Sequence, residues 1–412
     1  MDQLLRSHAD AIIKASITAV LPDEAVKRAL DGQKFPGRVL LVSAGKAAWQ
    51  MAKAAYDFWG DRIENAVVVT KYDHVMGPIG NFQCYEAGHP VPDENSFKGT
   101  QAALDLVSGL TEQDTVLFLL SGGGSALFEK PLVPGEVLQD VTGQLLACGA
   151  DIVEINTIRK RLSAVKGGRF AQHCAPAQVF SIVLSDILGD PLDMIASGPA
   201  VPDTATKEQA LAIAKKYELK MPDYAWELLE KETPKELHNV TTQINGSVKE
   251  LCVAAAAACR ELGYEPIMLT DQLCCQAKEA GSFLASVLKT HAGSGKNLAF
   301  LAGGETVVHL TGKGKGGRNQ ELALAAAVGI DGISGAAVFS VGSDGTDGPT
   351  DAAGGYTDYT TAAELKAQGI EIFDVLKQND AFHALQKVGG LVYTGPTGTN
   401  VNDVAVALLK AE

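Results

Sequence analysis

Short apolar runs rich in β-branched residues, each stopping at a turn and giving way to a helix, recur along this chain and restrict its fold more than any other feature. Residues 39–43 end in Ala44-Gly45-Lys46 and lead into a helical stretch at 47–56, and residues 66–70 follow the same grammar. Residues 115–120 run into Ser121-Gly122-Gly123-Gly124-Ser125, and residues 179–184 into Ser185-Asp186. Continuous apolar strands are covered on both faces, so their alternation with helices predicts a parallel, doubly wound sheet. Ligands of such sheets sit outside the carboxyl ends of the strands.

Ahead of this region, residues 3–20 set Leu5, Ala9, Ile12, Ile13, Ile17 and Val20 on one side of an amphipathic helix. A charged, proline-containing stretch at 231–239 lacks periodicity and precedes a fresh helix at 247–262, which places a domain boundary there. Beyond it, strands are predicted at 266–269, 298–301, 307–310, 337–341 and 391–393. Residues 298–310 are close enough to form a hairpin, so this second sheet is predicted to be mixed. The expected organisation is a Rossmann-like α/β domain over 1–238 and a second α/β domain over 239–412, with the helical segment 1–30 a candidate to pack on the second. A chain of 412 residues exceeds what one hydrophobic core usually serves.

The 35 Lys and Arg against 49 Asp and Glu leave a formal charge of −14, a surface that repels nucleic-acid backbones and anionic membranes. Neither is expected as a partner, and any anionic ligand must be met by a local cluster of cations. No apolar run approaches the ~18 residues of a membrane span. Asp2, Arg6, Asp10 and Lys14 interrupt the apolar core that a secretory signal needs. Seven cysteines without a CxxC pair predict reduced thiols and a cytoplasmic setting.

Against this acidic background the turns after strands carry the candidate chemistry. The glycines of Ser121-Gly122-Gly123-Gly124-Ser125 let successive backbone amides face one anion, a phosphate cradle. Lys46 stands at the start of a helix, where the helix dipole disfavours a cation, which suits a residue that neutralises a phosphoryl group. Gly312-Lys-Gly-Lys-Gly-Gly317 fits GxGxxG but lacks the acidic residue expected about twenty positions on. With Arg318 and Asn319 it still forms a cationic glycine frame. Lys166-Gly167-Gly168-Arg169 echoes it, within a run of cations that begins at Arg159. Asp344, Asp347 and Asp351 in one loop and Asp186 in another offer hard oxygen ligands for Mg²⁺ beside phosphates. Asp93 or Ser96, and Asn402 or Asp403, read as helix caps. No G-x-S-x-G elbow and no zinc-spaced histidine pair is present.

Taken together, Ser43-Ala-Gly-Lys46-Ala, Gly88-His-Pro-Val-Pro-Asp93, Ser121-Gly-Gly-Gly-Ser125, Lys166-Gly-Gly-Arg169, Ser185-Asp186 with Ser197-Gly-Pro199, Gly303-Gly-Glu305-Thr306, Gly317-Arg-Asn-Gln-Glu321, Ser343-Asp-Gly-Thr-Asp347-Gly and Gly395-Pro-Thr-Gly-Thr-Asn400 resemble, in order, the class of glycerate 2-kinases that carries a MOFRL domain. Members have also been labelled hydroxypyruvate reductases. The resemblance implies ATP- and Mg²⁺-dependent phosphorylation of D-glycerate at its C2 hydroxyl, in a cleft between the two domains. It matches Lys46 to the family's catalytic lysine and Arg318 to its catalytic arginine. Around them, Ser121 through Ser125, Lys166 through Arg169, Gly317 and Asn319 are expected at the nucleotide. Asp186, Asp344 and Asp347 are expected at the metal, with Asp186, Asp347 or Glu305 drawing the hydroxyl proton. Two rival readings are an NAD(P)H-dependent hydroxypyruvate reductase and a non-catalytic sugar-acid binding protein.

Overall fold

The computed structural model describes residues 1–411. The chain divides into two compact units, one of residues 22–245 and one of residues 1–21 together with those from 246 onward. In the first unit, β1 (Val39–Ala44), β2 (Ile63–Lys71), β3 (Gln83–Ala87), β4 (Thr115–Leu120), β5 (Gln178–Leu184) and β6 (Val240–Gly246) form one sheet in the order β3-β2-β1-β4-β5-β6. The pairs among the first five strands are all parallel. Every residue of β1 and β4 is buried because each face of the sheet carries its own core. Leu40, Val42 and Phe118 enter one core, and Val39, Leu41 and Leu117 enter the other. Strand order reverses between β1 and β4, which opens a crevice at their carboxyl ends.

The second unit holds β7 (Glu265–Leu273), β8 (Leu298–Gly304), β9 (Ala336–Gly342), β10 (Gly354–Asp358), β11 (Leu391–Val392) and β12 (Asp403–Leu409), ordered β11-β10-β9-β12-β8-β7. β7 and β8 are parallel, while β12 runs antiparallel to both β8 and β9, so the sheet is mixed. Residues 307–310 do not form the expected strand. β8 already has β7 on one edge and β12 on the other, and a hairpin partner has no edge left to pair with.

The segment 1–30 splits at Pro22, which disfavours helical backbone at the preceding residue. Helix Gln3–Ala19 folds with the second unit, Arg6 Nη1 donating to Gly389 O at 3.0 Å. Helix Pro22–Leu30 packs Ala25, Val26 and Leu30 into the first unit beside Val39 and Trp49. Among the described residues no helix is long and apolar enough to cross a membrane.

Candidate active site

At the switch point of the first sheet, the turns after β1 and β4 are built into each other. Gly45, at φ 124°, lies so close to Ser121 that a Cβ there would stand 2.3 Å from its Oγ. Ser121 Oγ accepts the amide of Ala47 at 3.0 Å, next to the start of helix Ala48–Trp59. Lys46 donates its amide to Gly122 O at 2.9 Å, and its own carbonyl accepts Thr70 Oγ1 at 3.2 Å. The lysine's backbone is thus tied to both neighbouring strands. Among the described residues its ammonium has no hydrogen bond or ion pair, so the side chain is left for a ligand.

Two further groups meet the same turn. A Cβ on Gly122 would lie 2.2 Å from Oδ2 of Asp186, which follows β5, so this position has room for glycine alone. A Cβ on Gly123, at φ 84°, would lie 3.1 Å from both Lys46 Cγ and His89 Cδ2. His89 lies in the Gly88-His-Pro-Val-Pro-Asp93 motif, but from sequence it carries no site role and its loop reads as a turn ahead of a cap. Asp93 does cap helix Glu94–Leu106 in a capping box with Ser96.

The second cationic glycine run is a correction. Lys166 is fully buried, its ammonium 2.9 Å from Ser125 O, 3.2 Å from Phe128 O and 3.5 Å from the Glu129 carboxylate. Burial lowers its pKa to about 8. Gly167 and Gly168 donate to Ser197 O and Gly198 O at 3.0 and 2.7 Å, and Arg169 Nη1 donates to Ser163 O at 2.6 Å. Lys166 thus holds the Ser125 carbonyl, and the two glycine amides are bonded to the 197–198 turn, so neither the ammonium nor those amides are left for a nucleotide. Ser125 Oγ lies 3.2 Å from Ser197 Oγ and remains partly exposed.

In the second unit a cleft of about 680 Å³ is lined by Glu305, Arg318, Asp344, Asp347 and the 312–317 loop. Arg318 opens helix Arg318–Ile330 and forks onto Asp403, Nε to Oδ2 at 2.5 Å and Nη2 to Oδ1 at 3.0 Å, while Nη1 reaches Glu305 at 2.9 Å. Burial acts to lower the arginine's pKa, but the Asp403 carboxylate outweighs it and the guanidinium is held above its ordinary value. Burial raises Asp403 by more than Arg318 pulls it down. The bidentate geometry is that of a charged pair whose desolvation falls on the acid. Terminal N–H groups remain over for an anion in the cleft. Asp403 is not a cap: it begins β12 opposite Gly304 and Gly342, and a Cβ on Gly342 would lie 3.3 Å from its Oδ1.

The remaining expectations at this end change character. Asp347 is buried under Gly317, accepting the amides of Asn319 at 3.2 Å and Gln320 at 2.9 Å, so it caps the helix that carries Arg318. Asn319 is buried and bonds Asp347 and Ser340. Gly317 lines the cleft, but a Cβ there would lie 2.2 Å from Asp347 Cγ, which makes it a packing glycine. Gly312 and Lys315 give their amides to Asn379 Oδ1 and Asp380 Oδ1, and Gly314 to Gln378 O. These three amides are therefore not left for a phosphate. Asp344 is partly exposed and accepts the amide of Thr346 at 3.0 Å. Among the described residues no group of three or more His, Cys, Asp or Glu stands ready to hold a metal ion.

Burial raises Asp347 to about 7, against the pull of the two amides. A folded-state pKa above the unfolded value of about 3.9 means stability that is complete below pH ~4 and declines as pH rises through ~7, by at most about 4 kcal/mol. Asp347→Asn is expected to flatten that decline. Thermal unfolding at about pH 5 and pH 8 checks it, and an unchanged difference in Tm between the two pH values would refute the assignment.

A parallel sheet with a lysine and a glycine turn at its switch point, and a mixed sheet with an arginine–acid cluster over a cleft, define a two-unit α/β protein with sites for anionic ligands at strand ends. Residues 8–230 match the DUF4147 domain and residues 298–403 the MOFRL family. The chain is 53% identical to the D-glycerate 2-kinase of Thermotoga maritima, covering 98% of each, and 41% identical to the glycerate 2-kinase of Pyrococcus horikoshii, covering 93% of this chain and 90% of that one. The crystal structure of the Thermotoga maritima glycerate kinase superposes with a TM-score of 0.95 at 52% identity, over 99% of this chain and 100% of that one. The chain belongs to the glycerate 2-kinase family that joins a DUF4147 domain to a MOFRL domain.

Proposed function

We propose that this protein transfers the γ-phosphoryl group of ATP, carried as its magnesium complex, to the C2 hydroxyl of D-glycerate, giving 2-phosphoglycerate and ADP. The observation that carries this reading is the unpaired ammonium of Lys46 beside the Gly122–Ser125 turn, in the crevice where a doubly wound sheet takes its ligand. The names of the relatives support the acceptor and the position of transfer.

In phosphoryl transfer the protein's contribution is positioning and neutralisation of charge on the moving group. In the first unit Lys46 offers a point charge to a phosphate; in the second, Glu305 and Asp403 fix the plane of the Arg318 fork. Asp186, a hard oxygen donor set directly against the glycine turn, fits a magnesium ion shared with phosphates, which takes only one or two protein carboxylates. When bound there, such an ion would supply neutralisation of phosphate charge. A cytoplasmic setting belongs to the same proposal, supported by seven free cysteines.

The reductase reading is disfavoured because the 312–317 loop lacks the acidic residue of a dinucleotide fingerprint and three of its amides, those of Gly312, Gly314 and Lys315, are bonded to residues 378–380. NMR of the product formed from D-glycerate, ATP and Mg²⁺ tests the proposal. Phosphate on C2 supports it. Phosphate on C3, or NADH oxidation with hydroxypyruvate and no ADP release with glycerate, overturns it.

A further inference from the structure

His89 is fixed in place by a loop that gives it no structural task. Asp93 holds the loop from both ends: Oδ1 accepts the amides of Asn95 and Ser96 at 3.0 Å, Oδ2 accepts Tyr72 OH at 2.7 Å, and the Gly88 amide donates to the same carboxylate. A Cβ on Gly88 would stand 2.6 Å from Val91 O, so the turn is also tight. On this mount the Cδ2–Nε2 edge of the imidazole lies against Gly123, beside Lys46 Cγ, and the rest of the ring is exposed. Among the described residues neither ring nitrogen has a hydrogen-bond partner. A histidine mounted beside the lysine and the glycine turn, with neither ring nitrogen hydrogen-bonded among the described residues, is arranged for a ligand.

We infer that His89 is a catalytic base of this site, taking on Nε2 the proton of the acceptor hydroxyl during phosphoryl transfer, an inference that rests on the kinase reading above. The hydroxyl oxygen forms the new bond to the γ-phosphorus. The bond from that phosphorus to the β,γ-bridging oxygen breaks, ADP leaves with its electron pair, and the proton passes from the hydroxyl to Nε2 and then to solvent. Partial desolvation against the turn lowers the pKa of His89, and the charges of Lys46 after β1 and Lys71 at the end of β2 add to the effect. The carboxylates nearby are Asp93, committed to the loop's own hydrogen bonds, and Asp186, on the Gly122 side of the turn. The imidazole is therefore neutral, and able to accept a proton, at neutral pH.

The test compares His89→Gln and His89→Ala with the parent for kcat and for KM of glycerate and ATP, across about pH 5.5 to 9. The ring makes no hydrogen bond to lose, so both variants are expected to keep the parental Tm. The parent's kcat is expected to fall on the acid side with a midpoint below the ordinary histidine value of ~6.5. Both variants are expected to lose kcat by ~10²-fold or more, to lose that acid limb, and to keep KM for ATP within about threefold. Added imidazole is expected to restore part of the activity of His89→Ala. Near-parental kcat, a loss confined to KM for ATP, or a retained acid limb without imidazole rescue would each overturn the inference. A parent that phosphorylates nothing from glycerate and ATP would instead overturn the functional reading beneath it.

Discussion

Arg318→Ala is expected to reduce kcat by about three powers of ten and to destabilise the second unit as well. In the proposed reaction, removing the guanidinium would withdraw a charge-assisted fork from phosphate oxygens, an effect of ~10²–10³ or more in comparable sites. It also leaves Asp403, 5% exposed, as a buried carboxylate without its bidentate partner. Breaking a fully buried pair costs about 3–5 kcal/mol. With the Arg318 side chain 32% exposed, water recovers part of that, and roughly 2 kcal/mol is expected. Arg318→Lys separates the two consequences. Its ammonium can still answer Asp403, so most of the stability should return. It cannot present two parallel N–H groups, so kcat should remain ~10²-fold down. Steady-state kinetics and thermal unfolding of both variants decide the matter. A lysine variant as active as the parent would show that Arg318 acts only as a structural counter-ion.

Lys46→Ala should behave differently, with a loss of ~10²–10³ in kcat and an unchanged Tm. The contrast follows from the two environments. Arg318 is embedded in a network of acids, whereas the Lys46 ammonium answers no group of the protein and its backbone is held by Gly122 and Thr70 whatever the side chain. A stability loss comparable to that of Arg318→Ala, with activity preserved, would remove Lys46 from the reaction. Equal losses in kcat and in ATP affinity would recast it as a nucleotide anchor.

Much of the scaffold was readable because its signals are local. The runs at 39–43, 115–120, 179–184 and 298–301 became strands, since continuous apolar sequence bounded by turns leaves few alternatives. The failures involve partners distant in sequence. Val404 to Leu409 is as apolar as any strand that was recognised, yet its place at the centre of the second sheet depends on β8 and β9 offering their edges. Residues 307–310 have the composition of a strand and none of the opportunity, and Val307 and Leu310 stay 55% and 78% exposed.

The candidate site divides along the same line. Sequence alone determined that this chain forms two α/β sheets and that Lys46, the Gly122–Ser125 turn and Asp186 stand at strand ends, because strand, turn and helix are encoded within some twenty neighbouring residues. Only the tertiary structure decided which polar groups are left for a ligand. It buried Lys166 against carbonyls, turned Asp347 into a helix cap, set Asp403 under Arg318 and placed His89 against Gly123. Whether a charged side chain meets water, a carbonyl or a counter-ion depends on which remote backbone packs over it, and no local spacing records that.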